Sequence, residues 1–267
     1  MERRRRLYLE YVDTFKVGGV LPQMMELKRV HTAMVVDNAR KICAAEKFDA
    51  HTAEICTLAA LLHDTGRYEQ LKRYHTFRDS DSVDHAVFSH DIVREKGWLD
   101  DMAAADREAV LKAVLYHNRR ELPDGLPPMV DTAAKCVRDA DKLDIFRVLE
   151  NQISTTDWRH DSTAFWNLRY DLPPNPDVID AIKDGRPVDY QHIQSLADFV
   201  LIQVGWMKCG LYFASSRRFA MERGHYDYRR KFILDLVGYD IDGLGVVQTG
   251  GGILENQRQQ PQQGRKE

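Results

Sequence analysis

The residues best suited to chemistry are His31, His63, Asp64, His85, His117 and Asp141, which helix periodicity turns inward or places at helix ends. Their centre is the stretch HTAEICTLAALLHDTG at 51–66, where a small-residue apolar run (Ile55, Leu58, Ala59, Leu61, Leu62) leads directly into His63 and Asp64, and Gly66 is expected to stop the helix. A neighbouring imidazole and carboxylate at the end of an apolar helix are costly to bury unless something neutralises and binds them. A divalent cation does both. Taken alone, a His-Asp pair is more simply a local hydrogen bond followed by a turn. The remaining histidines and aspartates change the reading, because several buried titratable groups cannot all be charged and unpaired. Imidazole with carboxylate suits Mn, Fe, Co, Ni or Zn better than calcium.

Five helices are needed to bring these groups together. A helix over 24–46 carries Leu27, Met34, Val35 and Ile42 on one face with His31 among them, and the 51–63 helix carries the central pair. A third, over 83–97, is capped in the Ser82 or Asp84 region and closed by Gly97. It places His85, Phe88 and Ile92 together and His90 about 140° away. A fourth, over 106–120, has the stripe Val110, Val114, His117. The fifth, over 131–151, aligns Ala134, Val137, Asp141, Ile145 and Val148, so that Asp141 faces the core, Asp144 lies at its edge and Asp139 faces away. The segment RYEQLKRYHTFRDSDSVD reads as a polar connection forming the rim of the site. A further helix over 3–17 precedes this set, with Arg3 to Arg6 as its solvated end.

Composition sets the frame. The chain of 267 residues is 43% hydrophobic and 30% charged, enough for one large domain, expected over 1–240 with its core at about 24–150 and a helical extension at 151–240. The extension is rich in aromatics and prolines, with apolar helices expected at about 195–215 and 218–237. It should pack on the core and shape the mouth of the site, and His160, His192 and His225 look isolated in polar surroundings. The Gly- and Gln-rich 241–267 tail is expected to be disordered. A net charge of -3 and a pI near 6.4 give no support for nucleic acid as partner. Cys43, Cys56, Cys136 and Cys209 are read as buried free thiols of a reducing compartment. The acids that follow MERRRR argue against a signal peptide, and no window has the apolarity of a membrane span. A cytoplasmic protein without membrane partners is expected, its oligomeric state open.

The pattern His31, then His63-Asp64, then Asp141 resembles the H…HD…D signature of the HD-domain metal-dependent phosphohydrolase superfamily, over roughly residues 24–150. The DADKLD run at 139–144 resembles that family's last motif, whose ligand corresponds to Asp141. The resemblance implies an all-α helical bundle with additional C-terminal helices here, and one divalent cation (Mn, Fe, Co, Ni, Zn or Mg) held by these four residues. His85 and His117 fall where two-metal members add histidines, which implies a second ion with Asp64 bridging. The implied reaction is hydrolysis of a phosphoester of a nucleotide or related small phosphorylated metabolite by a metal-bound water. Arg67, Lys142 and, in the rim, Arg78 are the candidate phosphate-binding groups, with Arg67 and Lys142 acting on the developing charge. His117, if it holds no metal, could be the proton donor, and Asp144 could orient a ligand from behind. Two other readings stay open: an HD-fold di-iron oxygenase using His85 and His117, and a non-catalytic nucleotide-binding module.

Overall fold

The computed structural model describes residues 1–160, 165 and 168–244. The helical periodicity of the chain is realised as α1 (Glu2–Asp13), α2 (Gln23–Ala45), α3 (Ala50–Leu62), α4 (Gly66–Tyr74), α5 (His85–Glu95), α6 (Ala104–Tyr116) and α7 (Pro128–Thr155). These are followed by α8 (Pro176–Lys183), α9 (Leu196–Gly205), α10 (Ala214–Glu222) and α11 (His225–Val237). Among the described residues there is no β-strand, only the isolated bridges Val17–Val20 and Arg169–Ser195, so the fold is all-α. No described helix is long and apolar enough to cross a membrane.

The most apolar helix takes the middle. α3 packs against α2, α6 and α7, and residues 55–62 of it are all buried. Ala59 and Ala60 on α3 and Ala133, Ala134 and Ala140 on α7 are completely buried, and such small side chains let helix axes approach closely. The ends are fixed locally. Asp49 accepts the Thr52 amide at the start of α3, Asp84 accepts the Ala86 and Val87 amides at the start of α5, and Pro128 opens α7.

Several expectations are corrected. Gly66 does not stop a helix; it opens α4. A side-chain carbon there would meet Ser89 N at 2.7 Å and His85 O at 3.0 Å, so the glycine is required by the close approach of α4 to α5. The expected polar connection therefore contains a helix, whose Tyr68 and Gln70 are fully buried; Tyr68 is hydrogen-bonded through its hydroxyl to Tyr8 at 2.8 Å. The apolar 195–215 stretch divides into α9 and a π-helical turn at Trp206–Gly210, and 218–237 divides where Gly224 adopts a φ of 74°. His225 is not isolated: it is buried, 2.7 Å from Glu150, which also pairs with the fully buried Arg229. Cys209 is exposed, whereas Cys43, Cys56 and Cys136 are buried. Residues 241–244 are folded, with Ile241 and Leu244 buried; the rest of the expected tail, 245–267, lies outside the described residues.

Candidate metal centre

α2, α3, α5, α6 and α7 deliver their polar groups to one point. His31 comes from the inner face of α2, His63 and Asp64 from the end of α3, His85 from the first turn of α5, His117 from the residue after α6, and Asp141 from the middle of α7. His31 Nε2 is 3.1 Å from Asp141 Oδ1 and 3.7 Å from Asp64 Oδ2. His63 Nε2 is 3.6 Å from Asp64 Oδ2 and 3.8 Å from Asp141 Oδ1. On the other side of the same carboxylate, Asp64 Oδ1 lies 3.6 Å from His85 Nε2 and 3.8 Å from His117 Nε2. All these side chains are buried except that of Asp141, which is partly open to the cleft.

The far nitrogen of every ring is occupied. Nδ1 of His31 meets Asp144 at 2.6 Å, that of His63 the Ala60 carbonyl at 2.8 Å, that of His85 Asp79 at 2.5 Å, and that of His117 the Val114 carbonyl at 2.7 Å. Carbonyl and carboxylate oxygens only accept, so each Nδ1 carries the proton and each Nε2 faces the centre. This is the arrangement in which an acceptor behind the ring fixes a metal-binding imidazole. His63 Nε2 and Asp64 Oδ1 are buried without any hydrogen-bond partner. Two sets, His31–His63–Asp141 and His63–Asp64–His117, each bring their donor atoms within 4.8 Å of one another. The donor set fits one divalent cation and has room in its chemistry for a second.

Electrostatics agree with this. Burial alone would raise the Asp64 carboxyl, but Lys28, then His63, Arg67 and His85, hold it well below the usual range. Asp141 is likewise held down against burial, chiefly by His31. Burial pushes His63 down, and burial with His85 and His63 pushes His117 far down, so both rings are kept neutral. His31 is the exception: burial opposes its charge, yet Asp141 and Asp144 outweigh burial and raise it.

The centre opens into a cleft of about 360 Å³ lined by Lys28, Arg67, Asn118 and Lys142 near the ligand set and by residues of the C-terminal extension farther out. Arg67 flanks Asp64 Oδ1 at 3.4 Å and is fixed by Gln70, Asp79 and the Phe77 carbonyl. Lys142 lines the cleft with its ammonium 5.7 Å from the Trp206 ring, and burial and then Arg138 lower it to about 8. Arg78 is not brought in: it is half exposed and turns to Asp81 at 3.4 Å, following the short turn at Asp79–Asp81. Asp139 does face away from the centre, but it is fully buried and accepts the Tyr212 and Phe213 amides.

The sequence reading missed two participants. Lys28, whose ammonium sits 2.7 Å from Asp64 Oδ2, lies three residues before His31 on the same face of α2, so the signal was present. Asp79, the acceptor behind His85, lies in an irregular loop with no periodicity to reveal it.

The HD domain family model matches residues 30–145. Residues 30–145 are an HD domain. That span contains His31, His63, Asp64, His85, His117 and Asp141, and excludes Lys28 and the whole C-terminal wall of the cleft. HD domains belong to a superfamily of metal-dependent hydrolases. No curated protein and no solved structure gives a match.

Proposed function

We propose that this HD domain protein is a metal-dependent phosphohydrolase acting on a phosphoester of a nucleotide or a related small phosphorylated metabolite. The observation that carries the reading is a pair of buried atoms that make no hydrogen bond, His63 Nε2 and Asp64 Oδ1, between imidazoles whose other nitrogens are already committed. His31, His63, Asp64 and Asp141 would hold one divalent cation, and His85 and His117, with Asp64 shared, a second. When bound, such a cation supplies an acidified water and a Lewis acid for the phosphoryl oxygens.

The chain's own groups complete the chemistry. Lys28 and Arg67 stand on the two oxygens of Asp64, where an ammonium and a guanidinium can take up charge that develops on a phosphoryl group. The Phe77 ring lies 5.4 Å from the Lys28 ammonium and 5.7 Å from the Arg67 guanidinium and covers part of both. His117 is poorly suited to be the proton donor. Its Nδ1 proton is given to the Val114 carbonyl, and its Nε2, which faces the centre, is kept unprotonated by burial. A ligand role fits it better.

The His85–His117 pair also supports a second reading, a di-iron oxygenase. Iron retained through purification, together with oxygen consumption, would favour it. The primary test is a panel of phosphomonoesters, phosphodiesters and nucleotides assayed after stripping and reloading with Mn, Fe, Co, Ni, Zn or Mg. Turnover that disappears in Asp141→Asn and His63→Ala is expected. A fully loaded protein with no turnover on any member of the panel would overturn the reading.

A further inference from the structure

The floor of the cleft belongs to the HD domain, but Arg186, Val188, Tyr190, Trp206 and Tyr212 also line it, all beyond the residue 145 where the family match ends. The cleft is rich in cations, although the chain has a net charge of -3. Most of these cations are committed. Lys28 is held by Asp64 and Arg67 by Asp64 and Asp79. Arg138 gives its guanidinium to the carbonyls of Tyr116, His117, Arg119 and Arg120.

Lys142 differs. Among the described residues no carboxylate or carbonyl bonds its ammonium, which faces the Trp206 ring at 5.7 Å. Asp139 and Asp141 attract it only from beyond bonding distance, so this largely buried ammonium lacks a direct anionic partner, and a ligand anion would offset that cost. Toward the mouth, Arg120 reaches from the HD side across the seam, donating to the Pro187 carbonyl at 3.1 Å and lying 4.0 Å from Asp189. It is thereby anchored beside Arg186, whose own pairing with Asp184 is exposed and therefore weak. Lys28 and Arg67 flank Asp64, whereas Lys142 faces Trp206 and Arg120 lies beside Arg186 at the seam between the HD side and the extension, so the cleft holds more cations than a lone phosphate at the inner pair would need.

We propose that Lys142, Arg120 and Arg186 form a second anion subsite, so that the substrate carries a further phosphate besides the one hydrolysed, as a phosphoanhydride chain or a bisphosphate does. This rests on the phosphohydrolase reading and gives the C-terminal extension a role in substrate selection. Trp206 bounds the subsite with its ring over the Lys142 ammonium, and Tyr190, more than half exposed, lines its open side.

The test is calorimetric titration of the full chain, stripped of metal, with inorganic tripolyphosphate and with orthophosphate. Tripolyphosphate is expected to bind at least about tenfold more tightly, with a margin that shrinks as salt is raised. Lys142→Met and Arg120→Gln should each remove most of that margin; Arg186→Gln, a change at an exposed position, serves the same purpose if Arg120→Gln loosens the seam. Equal affinity for the two anions, or a margin that survives all three substitutions, overturns the subsite. Failure of the hydrolase reading looks different: the tripolyphosphate margin stays while the loaded protein turns over no phosphoester.

Discussion

Nε2 of His85 lies 3.0 Å from Nε2 of His117, while the Nδ1 atoms of the two rings are engaged on their far sides by Asp79 and the Val114 carbonyl. With both outer nitrogens carrying protons, two unprotonated nitrogens confront each other in a buried place. Only a proton or a cation can reconcile them.

The first prediction follows from that pair. The full chain should hold two ions after reloading and dialysis, and His85→Ala or His117→Ala should retain one, whereas Asp64→Ala should lose both. Elemental analysis against protein concentration reads the outcome. Unchanged stoichiometry in His85→Ala would remove this residue from the ligand set.

The second concerns pH. The 3.1 Å contact between His31 Nε2 and Asp141 Oδ1 is a hydrogen bond only when Nε2 is protonated, and Asp141 and Asp144 raise the His31 pKa against burial. A raised histidine stabilises the metal-free fold fully below its unfolded pKa of about 6.5, and that contribution is lost as pH rises through the folded value. A cation at His31 must displace this proton, so metal affinity should weaken as pH falls through the same window. Calorimetry in buffers of different ionisation enthalpy should show proton release on binding. Asp144→Asn should lower the pH at which release ends.

Gly66→Ala provides the third. The added carbon would strike the backbone of α5 at Ser89 and His85, which cannot move as a flexible side chain can. A loss of about 1–3 kcal/mol in stability is expected from denaturant unfolding, the range for overpacking a tight contact. Because His85 sits on the displaced turn, affinity for the second ion should fall more than affinity for the first.

The fourth lies in the extension. Arg229 is fully buried and bonds Glu150, Gln203 and the Phe146 and His225 carbonyls. Arg229→Met leaves Glu150 with only His225 and should cost about 3–5 kcal/mol. Glu150 is held below its usual range against burial by His225 and Arg229. Its contribution is therefore present above the unfolded pKa of about 4.3 and lost as pH falls through the lowered folded value. Acid melts of wild type should show that loss, and melts of the variant much less of it.

Much of this site was legible because its groups ride on helices with one buried face. His31 and Asp141 follow the apolar stripes of α2 and α7, so a three- and four-residue count picks them out and separates Asp141 from Asp139. The same count turns Asp139 away from the centre, where it lies, but does not reveal that it is buried, because α7 is covered on more than one side and its second face meets the start of α10. Tyr68 and Gln70 were hidden by the charges around them in a short helix. Lys28 was overlooked because lysine on a helix ordinarily signals solvent, although here it faces a carboxylate. Which residues of the extension line the outer wall of the cleft had no sequence signal, since that wall is assembled from a loop and a π-helical turn rather than a repeating pattern.

Arg138 has a consequence for how the site moves. Its guanidinium gathers the carbonyls that end α6 and the loop beyond, immediately beside His117, and its own backbone lies on α7 three residues before Asp141. The histidine and the aspartate at opposite sides of the centre are thus moored to one rod, so a shift of that rod carries both together.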